Sequence, residues 1–218
     1  MNKQPRVAQS FPESIFKMDG ISKKTIEEHL KLYEGYVKKY NEIQSGLDAL
    51  TDEDRAAANQ SYSKIRELKV ELTFAWGGIV NHEMYFNHLG GDGQLTTGMF
   101  KQQVERDFGS VEAYLADMKA TAIAARGWVW TAWNQQEGRL FNYLGDAQNA
   151  YPVWGAVPVV ALDTYEHAYF IDHGSARAAY VEAFFKNMNW AVVEQQFVAM
   201  MTCCADQGAC CGGQCNCK

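Results

Sequence analysis

Apolar positions recur every three to four residues through Leu30, Tyr33, Val37 and Tyr40, behind a start signal in which Ser22 precedes Thr25, Ile26 and Glu27. Side chains at that spacing share one face, so the pattern predicts a long amphipathic helix over about residues 22–45. The same period returns over residues 56–89 through Tyr62, Ile65, Leu68, Leu72, Trp76, Ile79 and Val80, and stops at Gly90-Gly91. Two long helices joined by a short polar link predict a helical hairpin. Past the glycine-rich break at 90–94, Phe100, Val104, Phe108, Val111, Tyr114, Leu115 and Met118 mark one further helical stretch over about residues 98–125. The texture then turns aromatic and β-branched over residues 127–162. Turn signals at Gln136-Glu137-Gly138 and Gly145-Asp146 divide it into an antiparallel meander of about three short strands. Two more helices are expected near residues 176–187 and 190–201. The pattern is that of an α+β protein: an extended lead-in over residues 1–19, an N-terminal α-hairpin over 20–92, and a C-terminal α/β unit over 93–201. That unit carries a three-stranded antiparallel sheet flanked by helices, and a cysteine-rich tail, expected to be flexible, follows over 202–218.

With 47% hydrophobic and 21% charged residues in 218, the chain has material for a real core. The formal net charge of -6 argues against a nucleic-acid partner, which calls for a basic excess. No apolar run is long enough to span a bilayer, and the first residues lack the apolar stretch of a secretory signal, so neither membrane nor export is expected. All six cysteines fall in the last 16 residues. The body is therefore expected to fold without disulfides, and a reducing, cytoplasmic compartment is the simplest fit.

The five histidines allow an almost exhaustive search for a metal site. Asp163 closes the apolar strand VPVVALD and His167 follows four residues later, which puts both side chains on one side if the chain turns helical there. That spacing alone is weak. His29 lies in the first helix and His82 in the second, just after Gly77-Gly78. A histidine on an apolar helix face is more often a core residue than a ligand, but a hairpin brings both imidazoles level with the strand end. Three imidazoles and one carboxylate suit iron, manganese or zinc and leave one position open.

At these residues the sequence resembles the iron/manganese superoxide dismutases. The family's D-x-W-E-H-A-Y-Y reads D-T-Y-E-H-A-Y-F over residues 163–170, and its N-H-x-x-[FY]-[FW] reads N-H-E-M-Y-F over 81–86. G-W-x-W is matched by Gly127, Trp128, Val129 and Trp130, and N-x-x-N-W by residues 187–190. The resemblance runs in order from about residue 22 to 199. It implies disproportionation of superoxide to dioxygen and hydrogen peroxide by one manganese or iron ion per subunit, cycling between +3 and +2 and held by His29, His82, Asp163 and His167. Tyr36 matches the tyrosine at the mouth of the substrate channel, and Trp128 and Trp130 match aromatics that wall the cavity. Gln148 matches the glutamine that hydrogen-bonds the metal-bound solvent. In iron-type members that amide comes from the helix, at the place of Gly78 here, so glycine there with Gln148 puts manganese ahead of iron. Lys31 and Arg177 take family-like places for steering the superoxide anion. Glu166 matches the residue that reaches the ligand histidine of the partner subunit, which implies a homodimer, or a tetramer built from it.

The chain also departs from the family. Its first ligand and channel tyrosine are eight residues apart, whereas His29 and Tyr36 are seven apart. One residue fewer in a helix rotates all later positions by about 100°, and anchoring on Tyr36 would place Glu28 at the ligand position. The family's second histidine of that helix becomes Tyr33 or Leu32, and its cross-dimer tyrosine partner becomes Phe170, so both halves of a polar pair are lost together. Tyr165 stands for tryptophan, and Ala161 is neither of the residues associated with one metal or the other. Cys203, Cys204, Cys210, Cys211, Cys215 and Cys217 have no counterpart in the resemblance. Paired Cys-Cys and Cys-x-Cys spacings without histidine suit a thiophilic ion such as zinc or Cu(I). This leaves a second reading: a metal-binding or sensor protein on the same scaffold, with a thiol tail and little dismutation.

Overall fold

A computed structural model describes residues 4–149 and 153–206, with side chains described as far as Thr202. Ser22 caps the first helix, α1 (Lys23–Asp48), its side chain accepting from the Thr25 N–H, as the start signal predicts. A short α2 (Asp52–Ala56), closed by a Thr51/Asp54 capping box, fills the link before α3 (Lys64–Asn87). α1 and α3 pack along each other as the hairpin.

The stretch expected as one helix over 98–125 is two, α4 (Met99–Phe108) and α5 (Val111–Ala124). Gly109 ends the first with φ +88°, outside the helical range, and the Ser110 side chain caps the second by accepting from the Ala113 N–H.

The three antiparallel strands are β1 (Trp128–Asn134), β2 (Arg139–Gly145) and β3 (Ala156–Asp163), but their order is β2-β1-β3 rather than that of a meander. β1 is buried along nearly its whole length, while β2 is only half-buried, so the more apolar strand takes the centre. Pro158, which lacks an N–H, sits on an edge strand opposite Ala132, where the register shifts.

The chain then passes through a 3-10 turn at Glu166–Ala168 into α6 (Phe170–His173), α7 (Arg177–Lys186) and α8 (Trp190–Asp206). The last helix continues past the expected end at residue 201, through positions 203 and 204. Cys210, Cys211, Cys215 and Cys217 lie outside the described residues.

Trp128, Tyr85, Phe86, Phe100, Tyr114, Tyr180, Phe184 and Phe197 are fully buried and form the centre of the core. Burial of an aromatic or aliphatic side chain of this size contributes about 1.5–3 kcal/mol. Residues 4–19 lie along the hairpin. Ile15 is buried, Phe11 packs on Tyr33 and Phe86, and Arg6 makes an ion pair with Glu83. No described helix is long and apolar enough to cross a membrane. α3 packs against β3 as well as α1, which brings one residue from each of three elements to a single point at the end of β3.

Candidate metal centre

That point is Asp163, the last residue of β3. Its Oδ2 lies 3.1 Å from His29 Nε2, 3.6 Å from His82 Nε2 and 3.1 Å from His167 Nε2. One donor atom from each of the four residues lies within 4.8 Å of all the others. The 3-10 turn starting at Glu166 supplies the local curl that returns His167 to the side of Asp163, and the Tyr165 N–H donates to Asp163 Oδ1 at 2.8 Å. At the other side of the same residue, Tyr180 Oη donates to the Asp163 carbonyl at 2.8 Å, and Tyr180 and Tyr85 share a hydrogen bond.

The donor set fits a metal ion. His82 Nδ1–H donates to the Gly78 carbonyl at 2.5 Å, which fixes the tautomer and leaves the Nε2 lone pair facing the cluster. That Nε2 is fully buried and has no hydrogen-bond partner, a costly state unless a Lewis acid accepts the lone pair. Burial, with a smaller contribution from His29, pushes His82 down to about 3, so the ring is neutral and able to ligate. Burial likewise lowers His29. Burial alone would raise the Asp163 carboxyl, but His167 and His29 outweigh it and hold it well below the usual carboxylate range. His167, the only ring of the three with part of its surface exposed, is raised, because Asp163 outweighs the effect of burial.

Gln148 is buried, with 4% exposure, and is not an exposed turn residue. The Trp128 indole N–H donates to its Oε1 at 2.9 Å, and its Nε2 donates to Tyr36 Oη at 3.2 Å. An indole can only donate, so this contact decides which end of the amide is oxygen. The Tyr36 hydroxyl proton is left free, and burial raises its pKa. The Tyr36 ring lies over Gly78, where a Cβ would fall 2.6 Å from the ring, and beside His82 at 5.4 Å between centroids. α3 therefore has no room for an amide side chain at position 78. At Gly77 a Cβ would collide with the Gln148 carbonyl, so the glycine pair lets the loop after β2 approach the helix.

Arg177 joins Arg126, Tyr165, Glu166 and His167 in lining an open groove of about 420 Å³ over the partly exposed ligand ring. Its guanidinium is anchored by the Ala125 carbonyl at 2.5 Å and by Tyr169 Oη at 3.3 Å. Lys31 lies elsewhere. It is exposed, pairs with Glu28 at 2.8 Å, and shares a surface groove with Lys23, Glu27 and Glu34. Glu28 is thus a surface residue, and His29 is the one that reaches Asp163. Glu166 is exposed beside Phe170 and Ile171, which are 57% and 46% exposed.

Two residues at the site were not anticipated. Arg126, just before Gly127, lies in no motif that the sequence singles out. Asn81, next to His82, ties β1 to the Gln148 loop: its Oδ1 accepts from Trp130 Nε1 at 3.2 Å and its Nδ2 donates to the Gln148 carbonyl at 3.3 Å. An amide inside an apolar helix segment was the available signal, since such a group must find partners when buried.

The family model for the iron/manganese superoxide dismutases, C-terminal domain, matches residues 96–196. A superoxide dismutase [Fe] of Aquifex aeolicus (strain VF5) is 46% identical over 187 residues, covering 84% of this chain and 87% of the relative. A superoxide dismutase [Fe] of Cupriavidus metallidurans is 38% identical over 187 residues, with 84% and 91% covered. A mitochondrial superoxide dismutase [Mn] of Glossina morsitans morsitans is 29% identical over 187 residues, with 84% and 83% covered. On the strength of these matches, the chain belongs to the iron/manganese superoxide dismutase family.

Proposed function

We propose that the protein is a superoxide dismutase that binds one iron or manganese ion through His29, His82, Asp163 and His167. The observation that carries this reading is the buried, unpartnered Nε2 of His82 facing two other imidazoles and an ionised carboxylate. When bound, the ion supplies one-electron oxidation and reduction, removing an electron from one superoxide and giving one to the next. The residues around it do the rest. Asp163, ionised and buried, offsets the ion's charge, and the three imidazoles complete the donor set on the protein side. Peroxide formation requires two protons for each pair of superoxide anions. Tyr36 keeps its own proton available, because its oxygen is already engaged as an acceptor by Gln148 and burial holds the phenol protonated. Trp128 orients Gln148, and Gln148 in turn fixes Tyr36. Against a net charge of -6, the Arg126 and Arg177 guanidiniums make the groove at His167 locally attractive to an anion.

For the metal, the loop origin of the Gln148 amide favours manganese, whereas relatives at 38–46% identity carry iron in their names. We further propose a homodimer formed through the face holding Glu166, Phe170 and Ile171, a cytoplasmic location, and capture of zinc or Cu(I) by the six cysteines of the tail. A sensor or storage role on the same scaffold is the rival reading, and it has no use for a tyrosine and an amide fixed in this way.

The test is metal analysis and superoxide dismutation of the full-length protein and of a version ending at Met201, each loaded in turn with manganese and with iron. About one ion per chain with equal activity in both versions supports the enzyme and makes the tail an accessory. His167→Ala should abolish activity. A body that holds neither metal while the tail retains zinc or copper would replace the enzyme reading with the binding one.

A further inference from the structure

A line of oxidisable rings leads from the histidine cluster to the protein surface. Alternation along β1 puts Trp128 and Trp130 on one face, where their rings stack at 6.4 Å between centroids and 20° between planes. Trp130 stands opposite Tyr143 in the β1–β2 register, and these rings stack at 5.1 Å and 27°. At the inner end, Trp128 meets His82 edge to face at 5.2 Å. The two indoles are 0% and 5% exposed, and each N–H has a side-chain carbonyl acceptor, Gln148 for Trp128 and Asn81 for Trp130. Tyr143 is half-buried, and its hydroxyl makes no hydrogen bond among the described residues. The next ring outward, Phe141 at 5.3 Å, has no proton to lose on oxidation, so the line ends at Tyr143.

We propose that Trp128, Trp130 and Tyr143 form an electron-transfer chain that carries one-electron oxidising equivalents from the ligand histidines to the surface, the oxidant arising from hydrogen peroxide. Packing alone explains a buried tryptophan. It does not explain why the two most readily oxidised ring types succeed one another from a ligand to a partly buried phenol. A bound ion in its reduced state would supply one electron to hydrogen peroxide, which with one proton from solvent gives water and a hydroxyl-radical-class oxidant. That oxidant takes one electron from Trp128 and leaves as hydroxide. Trp130 refills Trp128, Tyr143 refills Trp130, and the oxidised phenol releases its proton to solvent, where it neutralises the hydroxide. The net change is one hydroxyl radical and one tyrosine converted to water and a neutral tyrosyl radical, which a thiol-class or ascorbate-class reductant in solution can repair by hydrogen-atom transfer. Burial pushes the Tyr143 hydroxyl up to about 12, so the phenol keeps its proton until it is oxidised. Tyr36 and Tyr165 also touch ligand rings, at 5.4 Å from His82 and 5.4 Å from His167, and are the rival resting places for the radical.

The inference rests on the proposed function for the metal centre and for the natural source of peroxide, so the experiment loads the metal and supplies peroxide directly, and needs no dismutation. Full-length iron-loaded protein, with its thiols alkylated, is pulsed with hydrogen peroxide in the presence of a nitroso spin trap, and adducts and oxidised histidines are mapped by peptide mass spectrometry. The expected adduct is at Tyr143. Trp130→Phe should deplete it manyfold, although Tyr143 itself is untouched, and should raise oxidation of His82 and His167 severalfold. Tyr143→Phe, a mild change at a partly buried site, should move the adduct inward to Trp130 and raise histidine oxidation likewise. Adducts confined to Tyr36 or Tyr165, or a Tyr143 adduct undiminished in Trp130→Phe, would overturn the chain. The predicted pattern in a protein without dismutase activity would keep the chain and remove the enzyme reading.

Discussion

Replacing Gly78 by alanine adds one methyl group where the Tyr36 ring of α1 rests on α3. The new Cβ would lie 2.6 Å from Cγ and Cδ1 of Tyr36 and 2.9 Å from its Cδ2. Unstrained carbon atoms rest at about 3.5–4.0 Å, so the ring must retreat by roughly 1 Å. The collision is at the root of the ring, and swinging the far end of the side chain does not relieve it. Overpacking of this kind costs about 1–3 kcal/mol. Loss of the Gln148–Tyr36 hydrogen bond adds about 0.5–1.5 kcal/mol, and alanine's better helix propensity offsets about 1 kcal/mol. Gly78→Ala should therefore be less stable by about 0.5–3.5 kcal/mol. Gly35→Ala is the matched control. It lies in α1, is exposed and has nothing within 4 Å of its Cβ, so it should gain up to about 1 kcal/mol. Urea unfolding of the metal-free proteins at one concentration reads both signs, and dismutation per bound metal should fall for Gly78→Ala because Tyr36 is displaced. If Gly78→Ala proves as stable as Gly35→Ala, or keeps full activity per metal, the close packing of Tyr36 on α3 is wrong.

His88 is a buried histidine outside the cluster, its Nε2–H donating to Gln196 Oε1 at 2.8 Å, and burial pushes its pKa down to about 4. The unfolded chain therefore binds a proton that the folded one refuses between about pH 6.5 and 4. Stability is complete above that window and falls by on the order of 3 kcal/mol as pH drops through it. His88→Gln should flatten this part of the stability–pH curve relative to the parent, and an unchanged slope would show that His88 does not titrate this way. Arg6 lies 2.6 Å from Glu83 and over the Trp76 ring at 4.8 Å, while Glu83 also accepts from Tyr33 Oη. Arg6→Met should cost about 1–3 kcal/mol by stranding a nearly buried carboxylate, and Glu83→Gln in the same chain should recover part of the loss. Strict additivity of the two single changes in urea unfolding would exclude the coupling. Chelating the metal should lower the thermal midpoint, and added Mn2+ should raise it with a logarithmic dependence on concentration that Asp163→Ala lacks.

The helices and the metal cluster were the legible part of this sequence, for a physical reason. Amphipathic period and caps are local, so Ser22 and the hairpin faces could be read directly. The four donors were legible because the two hairpin helices, the end of β3 and the turn after it carry one each, and few histidines compete. Non-local geometry was not legible. Strand order depends on which strand is buried on both faces, and the apolar character of β1 decided that against the simpler meander. The break at Gly109 was hidden by an apolar period that continues in phase across it. Lys31 illustrates the limit of transfer by position. Two residues after His29 on a helix, its side chain is turned away from the cluster and meets Glu28 instead. Arg126 comes to line the groove beside Arg177 through the fold alone.

The shortened spacing between His29 and Tyr36 shows how the departures fit together. Eight residues on an α-helix place two side chains about 80° apart, whereas seven leave them within about 20° of one face. α1 is an unbroken α-helix over this stretch, so no irregular turn restores the longer spacing. Tyr36 instead rises from the same face as His29, two turns on, and leans across to α3. That approach needs a helix surface without a side chain, and Gly78 provides it directly beneath the ring. The intervening Tyr33 is drawn inward by the same geometry, and its hydroxyl is satisfied by Glu83 and the Gln9 N–H rather than left bare. Glu83 in turn takes Arg6 from the N-terminal segment. The short spacing, the glycine and the Arg6–Glu83–Tyr33 contacts thus form one connected solution, in which Tyr36 still reaches Gln148 at the mouth of the cluster.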